Sequence, residues 1–282
     1  MEYQHLAVPS RPVRLLPRPV FLTGREDLLA SLHTWLSAAR TEPRIAVLCG
    51  LGGAGKTSAA LEYAYRHSAG LAVTWLLPAE EPAALAAGFG ELAAQLGLRS
   101  VLDTGSPVPQ VHAALAAHPG EWLLIFDNAT SLAEIQDLLP PAGCGQVLIT
   151  SQNPHWPVSR VIEVPVLEPD VAAEFLQTRA GSAETGAARE LAAELDGLPL
   201  ALEQAAAYML AVGRTITEYL ALFRGMRKDL LLRGRPAGYE LPRVFRTGII
   251  WTFYAAASIS RSSSMTSCGV LYPSAEWIRV LL

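Results

Sequence analysis

The segment Gly50-Leu-Gly-Gly-Ala-Gly-Lys-Thr57 has the residue types and the spacing of a phosphate-binding loop, G-x-x-x-x-G-K-[ST]. Glycines let the backbone curl so that its N–H groups point at phosphate oxygens, and the helix that follows adds positive potential. A lysine here reaches the β- and γ-phosphates, and the threonine hydroxyl binds Mg²⁺. The residues predicted to bind phosphate are Gly50, Gly52, Gly53, Ala54, Gly55, Lys56, Thr57 and Ser58.

A magnesium site of this kind needs an acid at the end of a neighbouring strand. The run Trp122-Leu-Leu-Ile-Phe-Asp127 supplies one, because it is apolar up to its final carboxylate. Taken alone, such an Asp is often only a turn residue or a helix cap. Beside the phosphate-binding loop we interpret Asp127 as a metal ligand with Thr57, and as a catalytic residue with Lys56. The next residue, Asn128, cannot act as a general base, so we expect slow turnover.

A third strand with a polar end is Gln146-Val-Leu-Ile-Thr150, followed by Ser151. In a parallel sheet the carboxyl ends of the strands share the edge where ligands bind. Thr150 or Ser151 is therefore a candidate contact of the γ-phosphate. An ordinary exit from strand to loop explains the same residues equally well.

The elements that position these side chains alternate along the chain. Short apolar runs predict strands at 45–49, 71–77, 122–126, 146–150 and 161–164. Helical stretches lie before, between and after these strands, at 25–39, 56–66, 82–96, 111–117, 132–139 and 170–179. Such alternation implies right-handed crossovers and a parallel sheet. The predicted fold class is α/β, a P-loop NTPase sheet with flanking helices, followed by a small helical domain with helices at 187–195 and 199–211.

The domain organisation follows from this alternation and from shifts in composition. Four prolines within residues 1–19 predict an extended leader. A nucleotide-binding domain at 20–182 and a small helical domain at 183–240 come next. Residues 241–282 contain four Arg and one acid and show no clear period, so we interpret them as a partial winged-helix domain or a poorly ordered tail.

Composition excludes several classes of protein. Hydrophobic residues make up 51% of the 282 residues and charged residues 17%, which excludes a disordered chain. The net charge of −4 gives no basic field, so nucleic-acid binding is not expected. Three cysteines and no secretory signal favour a reduced, cytoplasmic protein. No apolar stretch is long enough for a membrane span.

Taken together, the motifs resemble those of the NB-ARC family of signal-transduction ATPases, members of the STAND class. The resemblance covers residues 18–225 and rests on the order of five motifs: FLTGRE at 21–26, GLGGAGKT at 50–57, LLIFDN at 123–128, VLITSQN at 147–153 and GLPL at 197–200. It implies a switch that holds ADP in a closed monomer, exchanges it for ATP with Mg²⁺ and then self-associates. It also implies that Arg25 borders the adenine or ribose and that Pro199 packs against the adenine.

Three features depart from the family pattern. Gln152 stands where the family commonly has Arg after the Thr-Ser pair, and Asn128 replaces a frequent second acid. No histidine follows Gly225, whereas the family's winged-helix domain supplies one to the ADP β-phosphate. We therefore expect a truncated or altered C-terminus.

The resulting interpretation is an ATP/ADP-binding regulatory switch whose ATPase activity is weak or absent. The alternatives are an ordinary P-loop ATPase or kinase with steady turnover, the nucleotide-binding part of a transcription regulator, and a non-functional fragment that still folds around ADP. Steady turnover needs a catalytic base, and Asn128 argues against it.

Overall fold

The computed structural model describes residues 11–38, 42–98, 105–158 and 160–233, with side chains as far as residue 226. The described residues form two compact units. The first contains residues 11–50 and 56–164, and the second contains residues 51–55 and those from Pro165 onward. The predicted tail at 241–282 lies outside the described residues.

The first unit is built on a parallel sheet, as the sequence predicts. Its six described strands are β1 (Val13–Arg14), β2 (Arg44–Cys49), β3 (Val73–Pro78), β4 (Trp122–Asp127), β5 (Gly145–Ser151) and β6 (Val161–Glu163). The order across the sheet is β1-β3-β4-β5-β2-β6, and every neighbouring pair is parallel. Because β5 lies between β4 and β2, the carboxyl ends of these three strands meet at one edge.

Helices link the strands of this unit and complete its core. They are α1 (Glu26–Leu36), α2 (Lys56–His67), α3 (Pro82–Gln95), α4 (Val108–Ala117) and α5 (Leu132–Ile135), with 3₁₀ turns at Ser68–Gly70 and Gln136–Leu138. The central strands are continuous apolar runs because both of their faces are covered. Trp122, Phe126 and Phe89 are among the largest side chains that are fully buried.

Helix α4 begins earlier than the predicted 111–117. Residues 103–109 contain Gly, Pro and Ser, which favour a loop, yet the first turn of the helix includes Pro109. A proline in the first turn costs a helix nothing, since the first N–H groups have no partner within the helix. The hydroxyl of Ser106 accepts a hydrogen bond from the N–H of Val108 at 3.3 Å and so helps to start the helix.

The second unit is helical and contains α6 (Pro169–Ala180), α7 (Thr185–Glu194), α8 (Pro199–Val212) and α9 (Ile216–Arg233). Its core is formed by α6, α7 and α8 together with Ile216, Tyr219, Leu220 and Phe223 of α9. The sequence predicted the first three of these helices and missed α9. The structural boundary lies at Val164–Pro165, ahead of α6, whereas the prediction placed it behind this helix at 182. The reason is that α6 packs against α7 and α8.

The described part of the predicted leader, residues 11–19, takes part in the first unit. Val13 and Arg14 pair with Thr74 and Trp75 and form the strand at one edge of the sheet. A strand of two residues between prolines carries too little periodicity to be foreseen. Within the described residues, the structure contains no helix whose length and apolar character would let it cross a membrane.

Candidate functional site

The phosphate-binding loop starts with a glycine that the surrounding backbone requires. Strand β2 ends at Cys49, and Gly50 then adopts φ +145°. A Cβ atom at this position would lie 2.6 Å from the carbonyl oxygen of Val164. The N–H of Val164 donates to the carbonyl of Cys49 at 2.7 Å, and this bond holds the backbone of Val164 in place. The turn out of β2 therefore needs a residue without a side chain.

Lys56 is the first residue of α2, and its side chain bends back to the start of the loop. Its Nζ donates to the carbonyl oxygen of Gly50 at 3.2 Å, and the residue is only 8% exposed. Burial lowers the pKa of Lys56, because an ammonium loses hydration there, while the charge of Asp127 opposes this effect. A partly desolvated cation is stabilised when an anion such as a phosphate approaches.

Thr57, Asp127 and Thr150 form one hydrogen-bonded cluster at the carboxyl edge of the sheet. The hydroxyl of Thr57, on α2, donates to Oδ1 of Asp127 at 2.7 Å. The hydroxyl of Thr150, on β5, donates to the same oxygen at 2.6 Å. The structure thus brings together two predicted magnesium ligands and the residue predicted to contact the γ-phosphate.

This donor set suits Mg²⁺, which prefers oxygen ligands and is usually held by one or two side chains plus phosphates and water. The hydroxyl of Thr57 donates a hydrogen bond to Asp127, and the lone pairs of its oxygen remain available to a cation. The loop also leaves room for phosphate groups. A Cβ atom at Gly55 would meet nothing within 4 Å, and the backbone there has φ +91°. The residues present therefore fit both groups.

The backbone that follows Asp127 has an unusual conformation. Asn128 has φ +61°, a left-handed value that Asn tolerates better than most residues. Its N–H donates to the hydroxyl of Thr150 at 2.8 Å, and the N–H of Ala129 donates to the carbonyl of Thr150 at 2.9 Å. The turn after β4 is therefore fastened to β5. The sequence singled out Asn128 only for the acid that it lacks.

Neither hydroxyl of the Thr150–Ser151 pair is open to solvent. Thr150 is 1% exposed, and Ser151 is completely buried. The Ser151 hydroxyl donates to the carbonyl of Ala129 at 2.6 Å and accepts from the N–H of Asn153 at 3.0 Å. Gln152, between them, is exposed. Contact between Thr150 and a γ-phosphate stays a prediction.

Arg25 immediately precedes α1 and is 4% exposed, and burial lowers its pKa. Its neighbour Glu26 begins an ion-pair network that the sequence analysis missed. Arg66 binds Glu26 with two hydrogen bonds of 2.6 and 2.7 Å and Glu62 with one of 2.8 Å. Arg18 binds Glu62 with two more, of 2.9 and 2.8 Å. The spacing of Glu62 and Arg66, four residues apart on α2, was the available signal.

The network also changes the acidity of its central carboxyl group. The guanidinium groups of Arg18 and Arg66 lower the pKa of Glu62 to about 2, even though its burial acts in the opposite direction. Glu62 is therefore ionised over the whole neutral range. It ties α2, the helix that carries Lys56 and Thr57, to the chain segment before α1 and, through Arg66, to the first turn of α1.

Residues 51–55 of the loop belong to the second unit, where they contact the start of α8. Pro199 is the first residue of this helix, and the N–H of Leu200 donates to the carbonyl of Gly53 at 3.2 Å. Gly197, with φ +62°, sets the turn ahead of it, because a Cβ atom there would lie 2.4 Å from the carbonyl oxygen of Leu167. Gly52 and Gly53 are half-buried, and Ala54 is buried. Ser58, in the first unit, is half-buried in α2.

Comparison with known proteins finds relatives that are much longer than this chain. No family model matches the chain. A nucleotide-binding leucine-rich repeat (NLR)-like protein of Hyaloscypha variabilis is 28% identical over 232 residues, which cover 71% of this chain and 23% of that protein. The regulatory protein AfsR of Streptomyces coelicolor is 27% identical over 225 residues, 73% of this chain and 23% of that protein. The chain thus spans about a quarter of the length of these relatives.

Among solved structures, the fold is similar to that of a Walker-type ATPase of Pyrococcus abyssi. The TM-score is 0.52 and the sequence identity 15%, and the match covers 95% of this chain and 91% of that one. At this identity the similarity shows the fold alone, a parallel α/β sheet of the P-loop type followed by a helical bundle.

Proposed function

We propose that this chain is a nucleotide-binding P-loop ATPase domain of the STAND/NB-ARC type and that it acts as an ATP/ADP-binding regulatory module with slow or no ATP hydrolysis. The observation that carries the proposal is the 2.7 Å hydrogen bond from the Thr57 hydroxyl to Asp127. It joins the helix after the phosphate-binding loop to the acid at the end of β4, which is the arrangement that a magnesium nucleotide requires.

Lys56 contributes the positive charge at the phosphates. Its ammonium is held at the carbonyl of Gly50, so little side-chain motion is needed to reach an incoming phosphate oxygen. Thr57 and Asp127 would hold Mg²⁺, which would neutralise negative charge on the phosphates. Arg25 and Pro199 stay predicted contacts of the adenosine part of the nucleotide.

Slow hydrolysis follows from what surrounds Asp127. Asn128, the next residue, carries a neutral amide that cannot take a proton from an attacking water. Its backbone is also fixed in a left-handed conformation by the hydrogen bond to Thr150. Nucleotide binding without rapid turnover suits a switch, in which the bound nucleotide must persist long enough to favour one state of the protein.

The regulatory part of the proposal is supported by the relatives. One is named an NLR-like protein and another a regulatory protein, and both are much longer than this chain. In such a protein this chain corresponds to the nucleotide-binding module. Nucleotide-dependent self-association and a cytoplasmic location belong to the same proposal.

The proposal is tested by titrating ADP and ATP into the wild-type protein and into Lys56→Ala with Mg²⁺ present. Removing a charged donor to phosphate should weaken binding by about ten- to a hundredfold. Arg189→Ala is the matched control, because it removes one positive charge from α7, where the side chain of Arg189 is 63% exposed. Unchanged affinity in Lys56→Ala, or equal losses in both variants, would contradict the proposed role of the loop.

A further inference from the structure

The hydroxyl of Thr150 makes two hydrogen bonds whose directions are fixed. The N–H of Asn128 can only donate, so the Thr150 oxygen must accept this bond at 2.8 Å. An ionised carboxylate can only accept, so the Thr150 proton must point to Oδ1 of Asp127 at 2.6 Å. The hydroxyl therefore connects a backbone N–H to the Asp127 carboxylate, and the position of this N–H sets the direction in which the hydroxyl donates.

The surroundings make this hydroxyl rigid. Thr150 is 1% exposed, and its β-branched side chain has little freedom at χ1. Its backbone is paired in the middle of the sheet, where Leu48 of β2 is its partner in the register. The Asn128 end is equally fixed, because the N–H of Ala129 binds the carbonyl of Thr150 at 2.9 Å.

Asp127 has a second restraint on the same oxygen, the hydroxyl of Thr57 at 2.7 Å. This restraint is shared with the cation, since Thr57 is itself a proposed magnesium ligand. The bond from Thr150 involves no predicted ligand of Mg²⁺ other than Asp127. It is thus the contact that can fix the carboxylate before a metal arrives and keep it in place afterwards.

We propose that Thr150 is a positioning residue, which orients the Asp127 carboxylate for Mg²⁺ by relaying the backbone N–H of Asn128. The inference rests on the proposed function, because it concerns the metal of that same site. It gives Thr150 a role different from the predicted contact with the γ-phosphate. It also assigns a role to Asn128, whose left-handed backbone presents the N–H to Thr150.

The test compares ADP affinity in Mg²⁺ and in EDTA for the wild type, Thr150→Val and Thr150→Ser. Valine keeps the shape of threonine and removes the hydroxyl, whereas serine retains it. In Thr150→Val, ADP affinity in EDTA should stay within about twofold of wild type. The gain in ADP affinity that Mg²⁺ produces should shrink by about three- to tenfold, the net effect of one typical hydrogen bond. Thr150→Ser should recover most of this gain.

If Mg²⁺ raises the ADP affinity of Thr150→Val as much as that of the wild type, the inference is overturned. An equal loss in Mg²⁺ and in EDTA would overturn it as well, because it would indicate a nucleotide contact or a general structural role. If the wild type itself binds ADP without any Mg²⁺ gain, the metal site in the proposed function is wrong, and the inference fails with it.

A second measurement needs no variant and applies even if Thr150→Val does not fold. The amide hydrogen of Asn128 should exchange slowly with solvent in the wild-type protein, and more slowly still with Mg²⁺ and ADP bound. Exchange at the rate of an exposed amide in the bound state would show that the relay is absent and would overturn the inference.

Discussion

A Cβ atom on Gly50 would lie 2.6 Å from the carbonyl oxygen of Val164, closer than side-chain carbons approach backbone oxygens in proteins. This obstacle is backbone, held by the hydrogen bond from the Val164 N–H to Cys49, so it cannot rotate away. The close approach fixes the point at which the chain leaves β2 and enters the phosphate-binding loop.

Gly50→Ala should therefore destabilise the protein and weaken nucleotide binding together. Strain of this kind costs roughly 1–3 kcal/mol, which lowers the melting temperature by several degrees. Gly90→Ala is the matched control, because Gly90 lies inside α3 and its Cβ atom would meet nothing within 4 Å. Alanine there should stabilise by about 0.5–1 kcal/mol. Equal melting temperatures for the two variants would contradict the steric explanation.

The buried carboxylate of Glu62 predicts how stability depends on pH. Its pKa in the folded protein is about 2, against an ordinary value of 4.5. Because the folded pKa is the lower one, the ionised group stabilises the fold above about pH 4.5, and this contribution is lost as the pH falls towards 2. Glu62→Gln should cost about 1.5–3 kcal/mol at pH 7, the value of hydrogen bonds to a charged group.

Urea unfolding of wild type and Glu62→Gln at several pH values measures this effect. The difference in the free energy of unfolding should shrink as the pH falls from 5 towards 2, by linkage over about this range. Glu91→Gln is the control, since Glu91 also pairs with an arginine, Arg14, but is 56% exposed. It should change stability little at any pH. A difference for Glu62→Gln that does not vary with pH would contradict the assignment.

Much of the fold was predictable because local signals and tertiary structure agree. Strands β2, β4 and β5 each contain a continuous apolar run that is followed by glycine or a polar residue, as expected of buried parallel strands. Helices α3 and α8 begin with proline, and Gly213 follows α8 with φ +67°. Residues Val13–Arg14 were missed, because a two-residue strand carries little periodicity, and helix α9 was missed as well.

The site was predictable in its parts but not in its connections. The loop motif and the Asp127 strand follow from local sequence. The strand order does not, and only this order places β5 between β4 and β2 and brings Thr150 to Asp127. Likewise, the approach of Gly197 to Leu167 involves residues far apart in sequence, which no local pattern reports.

Gln152 leads to a prediction about nucleotide preference. It is exposed and follows directly after β5, where a charged side chain would have access to a ligand at the edge of the sheet. Gln152→Arg should strengthen ATP binding relative to ADP by about tenfold, because a guanidinium forms charge-assisted hydrogen bonds to a γ-phosphate. Competition titrations with both nucleotides measure the ratio.

The control for this variant is Gln136→Arg, which adds the same charge at an exposed residue in the 3₁₀ turn Gln136–Leu138. An unaltered ATP/ADP ratio in Gln152→Arg would remove residue 152 from the γ-phosphate environment. An identical change in both variants would show only the effect of net charge.

The most direct test of the central claim is the nucleotide content of the protein purified without added nucleotide. After denaturation, the released small molecules are separated by chromatography and quantified against the protein. A nucleotide switch with slow turnover predicts nearly one ADP per chain. A protein that carries no nucleotide and hydrolyses added ATP rapidly would contradict the account and indicate an ordinary ATPase.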